Sequence, residues 1–239
     1  MPSPYNIEIQ NNCTVCARAA ERLFCSLSPP AMKTLDSIKF TGVYPKGSVL
    51  FVDGEDPRGI FILCSGRAKL TTSSSEGRTL IVKIAEPGEV LGASATILGR
   101  PYEVTAETLE PAQLNFIKRD DFLRFLNAHT EACLHTAQQL SEKYQSAQRE
   151  IRSLGLAQST SEKLAKLLLD WCLRDGESTM KGFRLKVLLT HEEIAQMVGT
   201  TRETVTRLLS DFKRRKIVEV KGSTILVTDK MELEKLVSI

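Results

Sequence analysis

Residues 189–227 read LTHEEIAQMVGTTRETVTRLLSDFKRRKIVEVKGSTILV. Thr190, followed three residues later by Glu193, is a capping box that opens a helix through Ile194, Ala195 and Val198. Gly199 closes that helix, because a tight turn between helices needs a residue at ease in the left-handed conformation. Thr200 or Thr201 caps a second helix, with Val205, Leu208, Leu209 and Phe212 on its inward face. The opposite face carries Arg202, Glu203, Thr206 and Arg207, polar side chains near the helix start, where a recognition helix meets base edges in the major groove. Arginine pairs bidentately with guanine O6 and N7, and a carboxylate accepts from the cytosine amino group. Residues 202–221 hold seven Lys/Arg against three Asp/Glu, a local balance of +4 suited to phosphates. Lys213, Arg214, Arg215 and Lys221, with Thr190 and Thr201 at the helix starts, are the expected phosphate contacts. IVEVKGSTILV then reads as a hairpin turned near Lys221 and Gly222, a wing beside the recognition helix. These signals in this order predict a winged helix-turn-helix that reads double-stranded DNA; a merely solvated basic face would need no such caps, turn and wing.

Working back along the chain, Ser159 and Thr160 cap a helix with apolar positions Leu164, Leu167, Leu168 and Trp171. Residues 174–182 form a polar turn region, and FRLKVLL after it is a strand. Before this, the period is that of a coiled coil. From Cys133, the apolar or small positions run Ala137, Leu140, Tyr144, Ala147, Ile151 and Leu154, flanked by Glu142, Lys143, Arg149 and Glu150. The stripe is narrow and its surroundings are polar, which favours a partner helix, hence a homodimer, over an amphipathic helix packed on its own domain.

Between about residues 40 and 118 the period changes again. VLFVDGE, GIFILCSG, RAKLTTS, TLIVKIAEPGE and QLNFIK show alternating or β-branched apolar positions bounded by Gly47, Gly54, Gly59, Gly66, Gly77 and Gly88. Short strands at regular spacing predict a β-barrel or double-sheet roll, with a plain β-sandwich as the alternative. The full chain has 239 residues, 42% hydrophobic, with a formal net charge of +3. That length fits two modest domains. Charged residues interrupt every apolar run short of a membrane span, and the N-terminus lacks the basic and apolar regions of a secretory signal. A cytoplasmic location is therefore expected, with the six cysteines as thiols or metal ligands rather than disulfides. His129, His135 and His191 stand apart from any nucleophile motif, no phosphate-binding glycine loop is present, and the adjacent acidic pairs read as solvated or capping charges. An enzyme is not expected.

The segments EEIAQMVGTTRETVTRLL, PKGSVLF with GIFILCSGRAKL, and GEVLGASATILG resemble the Crp/Fnr family of regulators, and the likeness extends over nearly the whole chain. The resemblance implies an α+β fold: an N-terminal double-stranded β-helix, or jelly roll, that senses an effector, a long dimerisation helix, and a C-terminal winged helix-turn-helix. On this chain those parts fall at 28–128, 129–155 and 156–239, after a cysteine-containing segment at 1–27. The resemblance also implies that Arg202, Glu203 and Arg207 read half-sites of a palindromic operator about one helical turn apart, with RNA polymerase as a further partner. A ligand-binding regulatory module that acts through protein contacts without DNA is the alternative.

In the cyclic-nucleotide branch of this family, a Glu for ribose and an Arg–Ser pair for phosphate are expected. Here those places hold Ala93, Tyr102 and Glu103, and the positions facing the base are Gln148 and Arg149. A carboxylate repels a phosphate, so cAMP is disfavoured. The other branch carries an iron–sulfur cluster near the N-terminus. Cys13, Cys16 and Cys25 form a C-x2-C-x8-C set whose thiolates can converge on a cluster or another metal; redox-active thiols and inert cysteines are the alternatives. A fourth ligand, for iron or for zinc, is not evident: the family position holds Asn115, and Cys64, the substitute, sits in an apolar strand pattern. Cys133 and Cys172 fall on apolar helix faces and read as core residues.

Overall fold

The alternating apolar pattern of the N-terminal half builds two four-stranded sheets in the computed structural model. The structure describes residues 5, 7, 9–16, 19, 22–156, 159–174 and 176–237, without the side chains of residues 23, 149, 150 and 152–156. The chain divides into two units, residues 1–145 and 146–239.

In the first unit, two single 3-10 turns, Cys13–Val15 and Leu23–Cys25, precede helix α1 (Pro29–Ile38). Then come β1 (Lys39–Tyr44), β2 (Val49–Phe51), β3 (Gly59–Ser65), β4 (Ala68–Ser73), β5 (Thr79–Ala85) and β6 (Val90–Leu91). They are followed by α2 (Ala93–Leu98), β7 (Thr105–Thr108), β8 (Ala112–Lys118), α3 (Arg119–Ala128) and the 27-residue α4 (Thr130–Leu156), whose residues from 146 on belong to the second unit. One sheet has the order β1-β8-β3-β6 and the other β2-β7-β4-β5, with all pairs antiparallel. This double sheet is the expected roll.

Successive side chains on a strand point to opposite faces, and β3 shows the consequence. Phe61 and Leu63 enter the cluster between the sheets, with Phe51, Leu91, Tyr102 and Leu114. Ile60 and Ile62 face the other way, packing with Met32, Leu35, Phe122, Phe125 and Ala132 from the helices. A strand covered on both faces has no polar side to show, which is why GIFILCSG is a nearly continuous apolar run. Pro29 suits the first turn of α1, where its missing N–H has no helical partner. There the Glu131 carboxylate of α4 accepts from the Ser28 N–H at 3.0 Å.

The second unit, after the end of α4, contains α5 (Thr160–Arg174), β9 (Glu177–Thr179), β10 (Gly182–Lys186), α6 (His191–Val198), α7 (Arg202–Arg214), β11 (Val218–Lys221), β12 (Thr224–Val227) and α8 (Lys230–Leu236). Ser159 caps α5 by accepting from the Glu162 N–H at 3.1 Å. The sheet order is β11-β12-β10-β9. Leu164 and Leu168 of α5, Ile194 and Val198 of α6, and Val205, Leu209 and Phe212 of α7 share one buried core with Ile225 and Val227 of the wing. Leu208 and Trp171 lie at its margin. No helix among the described residues is long and apolar enough to cross a membrane.

Candidate functional site

The α6–α7 pair is fixed by its caps. Thr190 accepts from the Glu193 N–H at 3.2 Å, and the Glu193 carboxylate accepts from the Thr190 N–H at 2.9 Å. Gly199 ends α6 at φ 69° in the left-handed region, which an L side chain rarely adopts. Thr201, rather than Thr200, caps α7, accepting from the Thr204 N–H at 3.3 Å. With its inner face buried, α7 leaves Arg202, Glu203, Thr206 and Arg207 exposed together. The Glu203 carboxyl is held below the usual range by its own backbone N–H and the Thr201 hydroxyl, so it stays an acceptor. Thr206 is bound on both sides: its Oγ1 lies 2.9 Å from the Arg202 carbonyl and 3.0 Å from His191 Nδ1.

The basic run divides in two. Asp211 binds Arg214, and Arg215 lies 3.9 Å from Asp211 and 3.5 Å from Glu232 of α8. Arg215 thus ties α7 to α8. Lys221 lies 3.6 Å from Glu219 on the exposed wing. Among the described residues, Arg202, Arg207 and Lys213 make no ion pair and remain available to an external anion.

Helix α4 has two faces. Ala132, Thr136 and Gln139 are buried against the roll, and Leu140 is half-buried on its core. Gln139 accepts from the Val90 N–H and donates to the Gly88 carbonyl, both at 3.0 Å. Lys143 Nζ donates to the Val90 carbonyl at 2.6 Å. Since β6 is an edge strand, these two side chains take the place of a neighbouring strand. Burial brings the Lys143 ammonium down to about 8, against the pull of Glu89. Ala137, Tyr144, Ala147 and Ile151 lie on the exposed side, with Tyr144 66% and Ile151 70% exposed. Leu134, which the spacing argument omitted, is 57% exposed. Leu154 lies outside the described side chains, as does Arg149; Gln148 is exposed.

Of the residues at the positions expected to hold a cyclic nucleotide's phosphate, Tyr102 is enclosed in the roll. Tyr102, 3% exposed, stacks on Phe51 with ring centroids 4.1 Å apart. Its hydroxyl donates to the Gly59 carbonyl at 2.7 Å, a carbonyl that also accepts from Thr96 Oγ1 at 2.9 Å. Gly92 permits this: a Cβ there would stand 2.8 Å from the Tyr102 ring. Ala93 is buried and Glu103 is exposed.

The cysteines require a correction. Among the described residues, no group of three or more His, Cys, Asp or Glu side chains could hold a metal ion, so Cys13, Cys16 and Cys25 do not form the iron–sulfur or other metal site that their spacing suggested. The physical reason is geometric: the described side chains do not gather three or more such donors around one point. Burial pushes the Cys13 and Cys25 thiols up to about 11 and Cys64 to about 12, and the thiols oppose one another's ionisation. Asn115, in place of a further thiolate, lies with its amide nitrogen 3.6 Å from Cys13 Sγ and 3.2 Å from Cys64 Sγ. Cys13 and Cys25 pack at the edge of the helix-side core. Cys172 is buried, but Cys133 is exposed, a second departure from the sequence reading.

Comparison with known proteins accords with this geometry. Residues 162–236 match the Crp-like helix-turn-helix domain and residues 42–129 the cyclic nucleotide-binding domain. The chain is 27% identical over 223 residues to the CRP-like cAMP-activated global transcriptional regulator of Mycobacterium tuberculosis, covering 92% of this chain and 97% of that protein. It is 26% identical over 223 residues to the global nitrogen regulator of Synechocystis, covering 92% and 94%. Among solved structures, FixK2 from Bradyrhizobium japonicum superposes with a TM-score of 0.72 at 19% identity, covering 84% of this chain and 98% of that one. The c-di-GMP responsive regulator CLP of Xanthomonas campestris superposes with a TM-score of 0.74 at 21% identity, covering 84% and 99%.

Proposed function

This chain belongs to the Crp/Fnr family of transcriptional regulators, and from that premise we propose that it binds a palindromic DNA operator as a homodimer, in response to an effector other than cAMP. The observation that carries the DNA reading is the exposed set Arg202, Glu203, Thr206 and Arg207 on a helix whose opposite face is core. Arg202 and Arg207 donate to guanine edges, Glu203 accepts from cytosine, and Lys213, Arg214 and Lys221 meet phosphates beside the helix starts at Thr190 and Thr201. Arg215 serves the packing of α8 as well, given its ion pairs. The exposed apolar positions Leu134, Ala137, Tyr144, Ala147 and Ile151 support a two-fold α4–α4 pairing, with Leu154 continuing the heptad. RNA polymerase is the partner through which bound DNA would be read out, in the cytoplasm.

The sensor keeps the roll of a cyclic nucleotide-binding domain but not its anion chemistry. Tyr102 occupies the phosphate position, and Glu103 beside it repels a phosphate. The test is selection of binding sites from random duplexes with full-length protein, then titration of the selected operator. Arg207→Ala should weaken specific binding by about 1–3 kcal/mol and relax preference at one base pair per half-site. Lys213→Ala should weaken binding to all sequences alike and flatten its salt dependence. If no sequence is selected, the reading fails in favour of a regulatory module working through protein contacts.

A further inference from the structure

Thr206 sits in the middle of the reading face, yet its hydroxyl is already engaged. A hydroxyl has one proton. The Arg202 carbonyl, 2.9 Å away, can only accept, so that proton lies between Thr206 Oγ1 and the backbone of the preceding helical turn. His191 Nδ1, 3.0 Å from the same oxygen, must then be the donor; the reverse would leave two lone pairs facing each other at the Arg202 carbonyl. This role is the same for the neutral Nδ1–H tautomer and for the imidazolium. His191 comes from the first position of α6, an element anchored by the Thr190–Glu193 capping box. The side-chain torsion of Thr206 is thus set by two helices together, its own through Arg202 and α6 through His191.

We infer that His191 is a positioning residue of the DNA-reading face, and that Thr206 reads its base pair through its γ-methyl, as thymine. The inference rests on the DNA reading above. With its proton held by Arg202, Thr206 cannot donate to guanine N7 or O6 or to thymine O4. Beyond the oxygen's second lone pair, an acceptor for a base amino group, the part of the side chain free to meet a base edge is the methyl, and the apolar feature of the major groove is the thymine C5 methyl. His191 keeps the hydroxyl turned to the helix and so keeps the methyl available.

The test needs no assumption about the operator beyond its selection by full-length protein. Each thymine of the selected duplex is replaced in turn by deoxyuridine, and affinity is read by fluorescence anisotropy. Wild-type protein should lose about fourfold in affinity per half-site at one symmetric position, the effect of one buried methyl, and be indifferent at the other positions Thr206 can reach. Thr206→Val should keep that affinity within about twofold and keep the uracil penalty. Thr206→Ser, which keeps the hydroxyl and loses the methyl, should bind about fourfold more weakly per half-site and lose the penalty. His191→Ala should blunt the penalty, and His191→Asn, whose amide nitrogen can occupy the place of Nδ1, should restore it. Uracil-blind binding by wild type, or a Thr206→Val loss as large as that of Thr206→Ser, would refute methyl reading while leaving DNA binding intact. Failure to select any operator refutes the DNA reading and this inference with it.

Discussion

Truncating Gln139 tests how the long helix is joined to the sensor. Gln139 is 8% exposed, and its amide pairs with the Val90 N–H and the Gly88 carbonyl at 3.0 Å each. Both backbone groups are buried, and β6 lies at the end of its sheet, so no further strand can replace the lost partner. Gln139→Ala leaves one N–H and one C=O unpaired, at about 1–3 kcal/mol each. Lys143 still holds the Val90 carbonyl, so that bond survives. The expected loss is therefore about 2–4 kcal/mol, since some relaxation toward water offsets the upper end. For a unit of this size it should lower Tm by roughly 5–15 °C. Urea unfolding followed by circular dichroism measures it, with an unchanged m-value showing that the unfolded reference is the same. Gln138→Ala, one residue away on the exposed side, is the control and should fall within about 0.5 kcal/mol of wild type. If Gln139→Ala is equally silent, the helix is not the surrogate strand described above.

Lys143 gives a pH signature. Burial lowers it from 10.5 to about 8, so the folded chain releases its proton before the unfolded chain does. The stability difference between wild type and Lys143→Met should be flat below pH 8 and should move in favour of wild type from there to pH 10.5; a constant difference across that window would contradict the buried ammonium. Thiol labelling gives another. With Cys13 and Cys25 at about 11 and Cys64 at about 12, their thiolates are scarce at neutral pH, and iodoacetamide should label exposed Cys133 well before them, as peptide mass spectrometry can establish. Uniform labelling would overturn the burial argument. Cyclic AMP is the third case: a ligand at a hundredfold excess over its Kd adds about 2.7 kcal/mol of stability. Millimolar cAMP should leave Tm unchanged if Tyr102 fills the phosphate position, and a rise of several degrees would show that the tyrosine swings out.

Legibility in the sequence followed the strength of local signals. The capping box at Thr190, the turn at Gly199 and the wing at Gly222 each rest on backbone chemistry that a few neighbouring residues dictate, and each stands where its residue types require. The strands GIFILCSG and QLNFIK are long enough for their period to show. The two-residue β6 and the six-residue α2 are not. Val90 and Leu91 pair with β3, and α2 starts at a left-handed Gly92, but neither fact has a periodic trace in GEVLGASATILG. These short elements carry the approach to Tyr102, so the sensor is less legible than the DNA-reading unit. Sequence alone supplies Tyr102 as a misfit in a phosphate site; only the structure supplies its stacking on Phe51 and its bond to Gly59.

The long helix marks where periodic reading reaches its limit. A heptad stripe distinguishes apolar from polar positions, and it assigns Leu140 to a partner helix and Lys143 to solvent. The fold assigns both inward: Leu140 packs on the roll, and Lys143 bonds to β6. The stripe fails here because what β6 lacks is hydrogen-bond partners, and these are polar side chains indistinguishable in sequence from solvated ones. Gln138 and Gln139 are identical in composition and adjacent in position, yet one is exposed and the other 8% exposed. A strand edge about 50 residues earlier in the chain decides between them. The same logic applies to the cysteines. Spacing alone suggests that Cys13, Cys16 and Cys25 converge, whereas ligation demands a set of donors around one point, and among the described residues the fold assembles none. Where a donor comes to lie is set by distant parts of the chain, as the Asn115 amide between Cys13 and Cys64 illustrates, so motif spacing alone over-predicts metal sites.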